Sequence, residues 1–395
     1  MESEKKFLIK ICKKIIPSKA ISPASGGRGE KDRADLLEGI LKELDVDTFQ
    51  RYDVTDNYGE VRSSLIVKKG HYSQTLWLIA HTDTVPEGDI HSWTKPPFIA
   101  TVEGDRIYGR GTSDDGQAIM LGLLLLKRLK ENDLKINLGI AFVADEEVGS
   151  KYGIQYLLEK DVFKADDLII VPDSGASDGM ELEIAEKSIL WMKFTVIGKQ
   201  YHASHPDNAI NAARDGMEFL INLDQFLNKK YDRKDEVFNY PYSSFEPTKH
   251  EKNGDNINTI PGKEVFYMDC RILPNYDLDN VIDDVSTHIS EFEMTHKSKI
   301  KLDFVQKEQA PLPTSTESPV VKLLMKALEK RGKKPYTVGI GGGTCAAFFR
   351  KKGIPAVVWS TTIPEVAHQV DEYVDMNHIL MDTETIEDII YNFEA

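Results

Sequence analysis

Leu76-Trp77-Leu78-Ile79-Ala80-His81-Thr82-Asp83 is an apolar run of strand length that ends in a histidine and an aspartate. Apolar runs of this kind are typical of buried strands in parallel sheets. Open α/β sheets present functional groups at the carboxyl ends of such strands. Asp83 lies on the same side of an extended chain as His81, where a carboxylate can hydrogen-bond the second ring nitrogen and fix its tautomer. A histidine at a strand end is on its own more often structural, so a functional site requires partners from elsewhere in the chain.

The composition limits the partners and the location that we expect. The chain has 395 residues, which predicts two domains, and a net charge of −15. This charge argues against nucleic acid and anionic membranes as partners, because both require clustered positive charge. Cys12, Cys270 and Cys345 are widely spaced and indicate a reducing compartment. Without a signal-peptide pattern or an apolar run of about 18 residues, we expect a cytoplasmic protein.

Two further apolar runs, residues 136–143 and 168–172, predict core strands. Acidic residues follow each of them, as they follow the first strand. A glycine-rich turn at residues 109–116 leads into an apolar helix at residues 117–130. The alternation of strands and helices predicts an α/β fold, with a mixed, largely parallel sheet flanked by helices and a site at the carboxyl ends of its strands.

The pattern changes near residue 186. Residues 187–306 read as strand, helix, strand, helix and strand, which predicts a smaller α+β domain inserted into the first. The first domain then comprises residues 1–186 and 307–395. Within the inserted domain, residues 229–256 lack a periodic pattern and are predicted to form a loop.

Histidines and carboxylates collect at the strand ends and in the neighbouring loops. They are His81, Asp83, Asp114, Asp115, Glu146, Glu147, Asp173 and His368. So much negative charge in one place is costly unless cations neutralise it. Imidazole and carboxylate ligands without thiolate suit Zn²⁺, Co²⁺ or Mn²⁺. If one of the adjacent glutamates binds metal, the other can act as general base on a metal-bound water, whose pKa falls to roughly 7.

Five segments resemble, in order and spacing, the metal-site segments of the co-catalytic metallopeptidases. This family includes succinyl-diaminopimelate desuccinylase, acetylornithine deacetylase, aminoacylase, carboxypeptidase G and the carnosinase-type dipeptidases. The segments are HTDTVPEGD (81–89), YGRGTSDDG (108–116), ADEEVGS (144–150), PDSG (172–175) and AHQ (367–369). Residues 198–213 and 258–274 resemble the lid and dimerisation domain of the same family. The resemblance implies a zinc-peptidase-like catalytic domain and two bound divalent ions.

The resemblance also implies a role for each residue of the centre. The ligands would be His81, Asp114, Glu147, Asp173 and His368. Asp114 would bridge both ions, Asp83 would orient His81, and Glu146 would be the general base. Asp115 stays unassigned, because the double-aspartate form occurs in the dipeptidase branch.

In the lid domain, His202 resembles the histidine that reaches a neighbouring subunit's active site and polarises the scissile carbonyl. Arg271 resembles the arginine that binds a substrate carboxylate, a task suited to a guanidinium group. The remaining substrate-binding residues would be Asn258, Gly342, Gly343 and Thr344. These residues imply a small carboxylate-bearing substrate and a homodimer formed through the lid domain.

Two positions leave the substrate open. Asp173 stands where desuccinylases more often have glutamate, and Cys345 stands where an aspartate often follows the glycine-rich turn. We expect Cys345 to be a small buried residue rather than a nucleophile. The favoured function is hydrolysis of an N-acyl amino acid by a metal-bound hydroxide, with zinc preferred over cobalt or manganese. The alternatives are a dipeptidase or aminopeptidase of the same family and, from another class, a catalytically silent binding protein.

Overall fold

The computed structural model describes residues 2–44 and 46–394. The chain forms two compact units. Unit 1 comprises Met1–Ile184, Thr314–Val338 and Thr344–Ala395, and unit 2 comprises Ala185–Pro313 and Gly339–Gly343. Residues 1 and 395, the outer limits of the predicted first domain, lie outside the described residues.

The helices vary from one to five turns. They are α1 (Glu2–Ile15), α2 (Lys31–Leu41), α3 (Gly116–Arg128), α4 (Ile154–Glu159), α5 (Ala212–Lys230), α6 (Leu278–Thr295), α7 (Pro319–Lys330), α8 (Ala346–Lys351) and α9 (Met376–Tyr391). Within the described part of the chain, none of them combines the length and the apolar character that crossing a membrane requires.

The strands are distributed over both units. They are β1 (Thr48–Thr55), β2 (Val61–Lys69), β3 (Thr75–His81), β4 (Thr101–Glu103), β5 (Arg106–Tyr108), β6 (Asn137–Val143), β7 (Leu168–Val171), β8 (Glu181–Glu186), β9 (Ser188–Ile197), β10 (Tyr201–His202), β11 (Ser244–His250), β12 (Thr259–Ile260), β13 (Lys263–Ile272), β14 (Lys299–Glu308), β15 (Tyr336–Ile340), β16 (Ala356–Val358) and β17 (Tyr373–Asp375).

The largest sheet has the strand order β1-β2-β6-β3-β7-β16-β8-β15. Its centre, β6-β3-β7-β16, is parallel. Antiparallel pairs lie on either side, where β2 pairs with β1 and β6, and β8 pairs with β16. This mixed sheet with flanking helices confirms the predicted α/β fold class.

Strand β3 lies in the middle of unit 1, and all seven of its residues are buried. Trp77 and Ile79 belong to an apolar cluster that also contains Ile154 of α4 and Phe349 of α8. Helix α3 contacts β3 as well as α1 and α9. The unbroken apolar sequence of α3 from Ala118 to Leu126 fits this position between the sheet and two helices.

The parallel strands β3, β6 and β7 are neighbours and end at the same edge of the sheet. The segments that follow them carry Asp83, the Glu146-Glu147 pair and Asp173. The sheet therefore brings to one edge residues that are up to 90 positions apart in the sequence, as Asp83 and Asp173 are.

Unit 2 contains the four-stranded antiparallel sheet β11-β13-β9-β14 and the two-stranded pair β10-β12. Helices α5 and α6 pack on the larger sheet through an apolar cluster that includes Phe194, Phe219 and Val285. The predicted loop at residues 229–256 is wrong for Ser244–His250, which forms β11. This edge strand contains Pro247 and is mostly exposed, so it lacks the apolar alternation of a buried strand.

Candidate metal centre

His81 ends β3 and is buried among carboxylates. Its Nε2 lies 2.7 Å from Asp114 Oδ1 and 3.6 Å from Asp173 Oδ1. Its Nδ1 lies 3.2 Å from the carbonyl oxygen of Asp83 and 3.4 Å from Asp83 Oδ1. Burial alone would lower the pKa of His81, but its contacts with Asp114, Asp173 and Asp83 raise that pKa well above its usual range.

His368 occupies the other side of Asp114. Its Nε2 lies 2.8 Å from Asp114 Oδ2 and 3.2 Å from Glu147 Oε1. These two carboxylates raise the pKa of His368 to about 10. Burial opposes ionisation of Asp114, yet His368 and His81 hold the pKa of Asp114 well below its usual range. Asp114 thus places one carboxylate oxygen against each imidazole.

Two groups of side chains in this place could each hold a metal ion. One consists of His81, Glu146 and Asp173, and the other of His81, Asp114 and Glu147. The ligand atoms of each group all lie within 4.8 Å of one another. Neither of these groups contains a thiol, and the mixture of imidazole and carboxylate donors fits divalent cations such as Zn²⁺, Co²⁺ or Mn²⁺.

The Glu146-Glu147 turn is fixed by Asp83. The backbone N–H groups of Glu146 and Glu147 donate to the two carboxylate oxygens of Asp83, each over 3.0 Å. Burial and the negative charge of Asp173 raise the pKa of Glu146 well above its usual range. A cation held beside Glu146 would lower this pKa and favour the ionised form of the carboxylate.

Asp114 and Asp115 make different contacts, although they are adjacent and joined by a cis peptide bond. Asp115 caps α3, where its Oδ1 accepts from the N–H of Ala118 over 3.3 Å. Its Oδ2 accepts from the N–H of His81 over 3.0 Å. Asp115, which the sequence left unassigned, therefore ties the start of α3 to the end of β3.

Two buried arginines that the sequence analysis did not single out hold neighbouring segments. Arg33 donates to the carbonyl of Thr82 over 2.9 Å. Arg62 is paired with Glu30 and, over 2.8 Å, with Asp145, the residue before Glu146. The available signal was weak, because α2 and β2 carry several other charged residues and nothing in the sequence distinguishes these two arginines from them. Arg110 and Glu372 form a further buried pair, described below.

Five of the predicted residues belong to unit 2, namely His202, Asn258, Arg271, Gly342 and Gly343. His202 is exposed, and its Nδ1 lies 2.7 Å from Ser204 Oγ. Asn258 is also exposed, and its carbonyl accepts from the N–H of Ala203 over 2.8 Å, beside the β10-β12 pair. The arrangement brings His202 and Asn258 into one local ribbon.

Arg271 has a partner that the sequence did not predict. Its Nε and Nη2 donate to Asp269 Oδ1 and Oδ2 over 2.7 and 3.1 Å, and its Nη1 donates to the carbonyl of Gly341 over 2.9 Å. Gly342 and Gly343 follow Gly341 in unit 2.

Thr344 and Cys345 belong to unit 1 and are buried at the start of α8. The hydroxyl of Thr344 accepts from the N–H of Ala346 over 3.2 Å. Burial, followed by the charges of Glu146 and Asp173, raises the pKa of the Cys345 thiol well above its usual range. The thiol is therefore kept in its neutral, weakly nucleophilic form.

The fold and the centre together define the class of the protein, a metallohydrolase that acts on amide bonds as a peptidase or deacylase. A model of peptidase family M20/M25/M40 matches residues 77–392, and the chain belongs to this family. This finding confirms the resemblance that the five sequence segments indicated.

Several relatives match nearly the whole chain. An uncharacterised metallohydrolase of Methanocaldococcus jannaschii is 38% identical, over 97% of this chain and 98% of the relative. An acetylornithine deacetylase of Photorhabdus laumondii is 27% identical, over 95% and 94% of the two chains. A succinyl-diaminopimelate desuccinylase of Orientia tsutsugamushi is 26% identical, over 98% and 95%.

Solved structures share the fold at lower identity. A tripeptidase of Staphylococcus aureus has a TM-score of 0.76 at 18% identity and covers 98% of both chains. A dinuclear metal binding peptidase of Bacillus subtilis has a TM-score of 0.66 at 14% identity, over 99% of this chain and 98% of that one.

Proposed function

We propose that the protein is a two-metal amidohydrolase that removes the acyl group from an N-acyl amino acid. The observation that carries the proposal is the placement of Asp114 between two imidazoles, with one carboxylate oxygen 2.7 Å from His81 and the other 2.8 Å from His368. A carboxylate shared in this way is the usual bridging ligand of two-metal hydrolases.

The ligands in this proposal are those of the sequence analysis. His81 and Asp173 would hold one ion, Glu147 and His368 the other, and Asp114 both. Bound ions would polarise the carbonyl of the scissile amide and acidify the attacking water. Zinc is favoured because imidazole and carboxylate are its common ligands in hydrolases. The number of two ions is supported by the Bacillus subtilis structure, which is a dinuclear metal binding peptidase.

Glu146 is proposed as the general base. Its carboxylate lies among the ligand atoms of His81 and Asp173, and its backbone is fixed by Asp83. From this place Glu146 takes a proton from the attacking water and delivers it to the nitrogen of the leaving amine. Asp83 would support this step by holding both the His81 ring and the Glu146 backbone.

The proposed substrate class is supported by the named relatives and by the surroundings of Arg271. Relatives named acetylornithine deacetylase and succinyl-diaminopimelate desuccinylase match nearly all of the chain. Arg271 is proposed to bind a substrate carboxylate, and Asp269 holds its guanidinium group in place through two hydrogen bonds. The pocket residues in this proposal are Asn258, Gly342, Gly343 and Thr344.

A dipeptidase or aminopeptidase is the second candidate. Two features favour it: Asp173 in place of glutamate resembles the amino- and dipeptidases of the family, and the Asp114-Asp115 pair resembles the dipeptidases. The fold relative from Staphylococcus aureus, a tripeptidase, shows that the fold also serves peptidases.

We further propose that the protein is cytoplasmic and that its two domains have different functions. Cys12, Cys270 and Cys345 are all free and buried, as a reducing compartment would permit. We propose that residues 187–306 form the lid and dimerisation domain, and that His202 acts on the site of a second copy.

A substrate panel with controlled metal tests the function. Metal is removed from the protein with a chelator, and Zn²⁺, Co²⁺ or Mn²⁺ is added back. Each form is then assayed with N-succinyl amino acids, N-acetyl amino acids and dipeptides. We expect turnover to require metal and to have the highest kcat/KM with an N-acyl amino acid. A preference for dipeptides would select the second candidate, and chelated protein that retains full activity would contradict the metal-dependent mechanism.

A further inference from the structure

We propose that the buried ion pair between Arg110 and Glu372 is a positioning device for the second metal position, formed by Asp114, Glu147 and His368. The inference rests on the proposed two-metal function. It adds two residues that contact neither substrate nor ions and that act through the backbone of the ligand-bearing segments.

The pair lies in the interior of unit 1. Arg110 is 2% exposed and Glu372 is fully buried. Arg110 Nη1 lies 2.6 Å from Glu372 Oε2, and the guanidinium group stacks over the ring of Trp93. A buried ion pair of this kind is weak evidence for stability, because desolvation offsets much of its attraction. Its hydrogen bonds to the backbone indicate a different role.

Each member of the pair holds the segment that carries one ligand. Glu372 Oε1 accepts from the N–H groups of Ser113 and Asp114 over 2.9 and 3.1 Å. Arg110 Nη2 donates to the carbonyl of His368, and Nη1 to that of Gln369, each over 3.2 Å. The ion pair therefore joins the backbone of Asp114 to the backbone of His368.

This connection determines a distance that the centre needs. Asp114 Oδ2 and His368 Nε2 are 2.8 Å apart, although the two residues are 254 positions apart in the sequence. His368 has a φ of 61°, a left-handed conformation that is uncommon for a side-chain-bearing residue. Such a conformation persists when its surroundings fix it, and Arg110 binds the carbonyl of that residue.

The contacts are also selective. Among the described residues, the side-chain hydrogen bonds of Arg110 and Glu372 reach the segments of Asp114 and His368 but not His81 or Asp173. Loss of the pair is therefore expected to weaken the second ion more than the first. Mutation of residues that hydrogen-bond to metal ligands typically lowers metal affinity by about 10–100-fold.

Metal titration of the full chain tests this inference. Chelated wild-type protein, Glu372→Gln and Arg110→Lys are titrated with Co²⁺, while calorimetry and the visible Co²⁺ spectrum follow the ions in order of binding. We expect both variants to bind one ion about 10–100-fold more weakly and the other, which Asp114 also holds, with a smaller loss. Arg110→Lys keeps the positive charge but loses the several fixed N–H donors of the guanidinium group. If this variant bound the second ion as tightly as wild type does, the positioning role would be overturned.

A double variant guards against misfolding caused by an unpaired buried charge. Arg110→Met with Glu372→Gln removes both charges, keeps an acceptor for the N–H of Asp114 and breaks the tie to His368. We expect this variant to fold and still to lose affinity for the second ion. The control is Asp382→Asn, which alters an equally buried carboxylate of unit 1 that binds Thr361 instead of the ligand segments.

The outcomes separate this inference from the proposed function. Two ions in wild type and unchanged second affinities in the variants would overturn the inference alone. Equal weakening of both ions, or the same loss in Asp382→Asn, would indicate general destabilisation and overturn it too. A wild-type protein that binds only one ion would overturn the two-metal proposal and, with it, the inference.

Discussion

Glu146 and Glu147 are neighbours in the chain, yet their carboxylates have different surroundings. Glu147 lies 3.2 Å from His368, whereas Glu146 shares a group with His81 and Asp173. If Glu147 is a ligand and Glu146 the base, Glu146→Gln should bind two ions and lose turnover by about 10²–10⁴-fold. Glu147→Gln should lose affinity for one ion. Elemental analysis beside steady-state kinetics measures both properties, and an ion missing from Glu146→Gln would instead make Glu146 a ligand.

The buried carboxyl group of Asp382 should make the stability of the folded protein depend on pH. It is buried in α9, and burial raises its pKa to about 7, although Thr361 donates to both carboxylate oxygens. The folded state therefore keeps this proton while the unfolded chain, with a pKa near 3.8, releases it. The protonated carboxyl therefore contributes on the order of 2–4 kcal/mol to the free energy of unfolding. This contribution is complete below about pH 4 and is lost as the pH rises to about 7.

The substitution Asp382→Asn should remove this dependence. The amide can accept from the N–H of Thr361 and donate to its hydroxyl, so it imitates the neutral acid without titrating. Urea unfolding of the chelated proteins from pH 4 to 8 measures the difference between wild type and variant, which cancels the other titrating groups. A difference that stays constant across this range would contradict a raised pKa for Asp382.

At the scale of elements, the sequence predicted what continuous apolar patterns encode. Strands β3, β6 and β7 are buried throughout, so their sequences alone indicated a parallel core with functional groups at one edge. Strand β11 could not be predicted in this way, because an exposed edge strand with a proline has no apolar period. The cap formed by Asp115 was equally hidden, since only the backbone path decides which of the two aspartates caps α3.

The cap at the start of α3 should affect both the stability of the fold and metal binding. Asp115 accepts from Ala118 at the helix start and from His81 at the end of β3. Asp115→Ala should lower the free energy of unfolding by about 1–3 kcal/mol and weaken metal binding, because it releases the backbone of His81. Thermal unfolding and Co²⁺ titration measure the two effects.

Asn211 is a matched control for this cap. It caps α5 in unit 2 by accepting from the N–H of Arg214 over 3.1 Å. Asn211→Ala should lower stability by about 0.5–2 kcal/mol without changing metal affinity. If both alanine variants weaken metal binding equally, the cap at Asp115 has no special connection to the centre.

At the scale of the whole molecule, the candidate residues are divided between the two units. The proposed metal ligands and Glu146 belong to unit 1, while His202, Asn258 and Arg271 belong to unit 2. His202 is exposed, and its ring nitrogen Nδ1 contacts Ser204 rather than a carboxylate. The proposal assigns the polarising role of His202 to the site of a second copy of the chain.

Complementation between variants tests this assignment. Neither His202→Ala nor Glu146→Gln should turn over substrate alone. Co-expressed, they should form mixed dimers in which one site combines an intact Glu146 with the intact His202 of the other copy, while the second site lacks both. Random pairing then predicts about a quarter of wild-type activity. Glu146→Gln co-expressed with Glu147→Gln is the control, because both changes affect the same unit and every site remains defective. Activity in the first mixture but not the second would locate His202 in trans, whereas inactivity in both, with mixed dimers verified by tagged purification, would place its action within its own chain or remove it from the reaction.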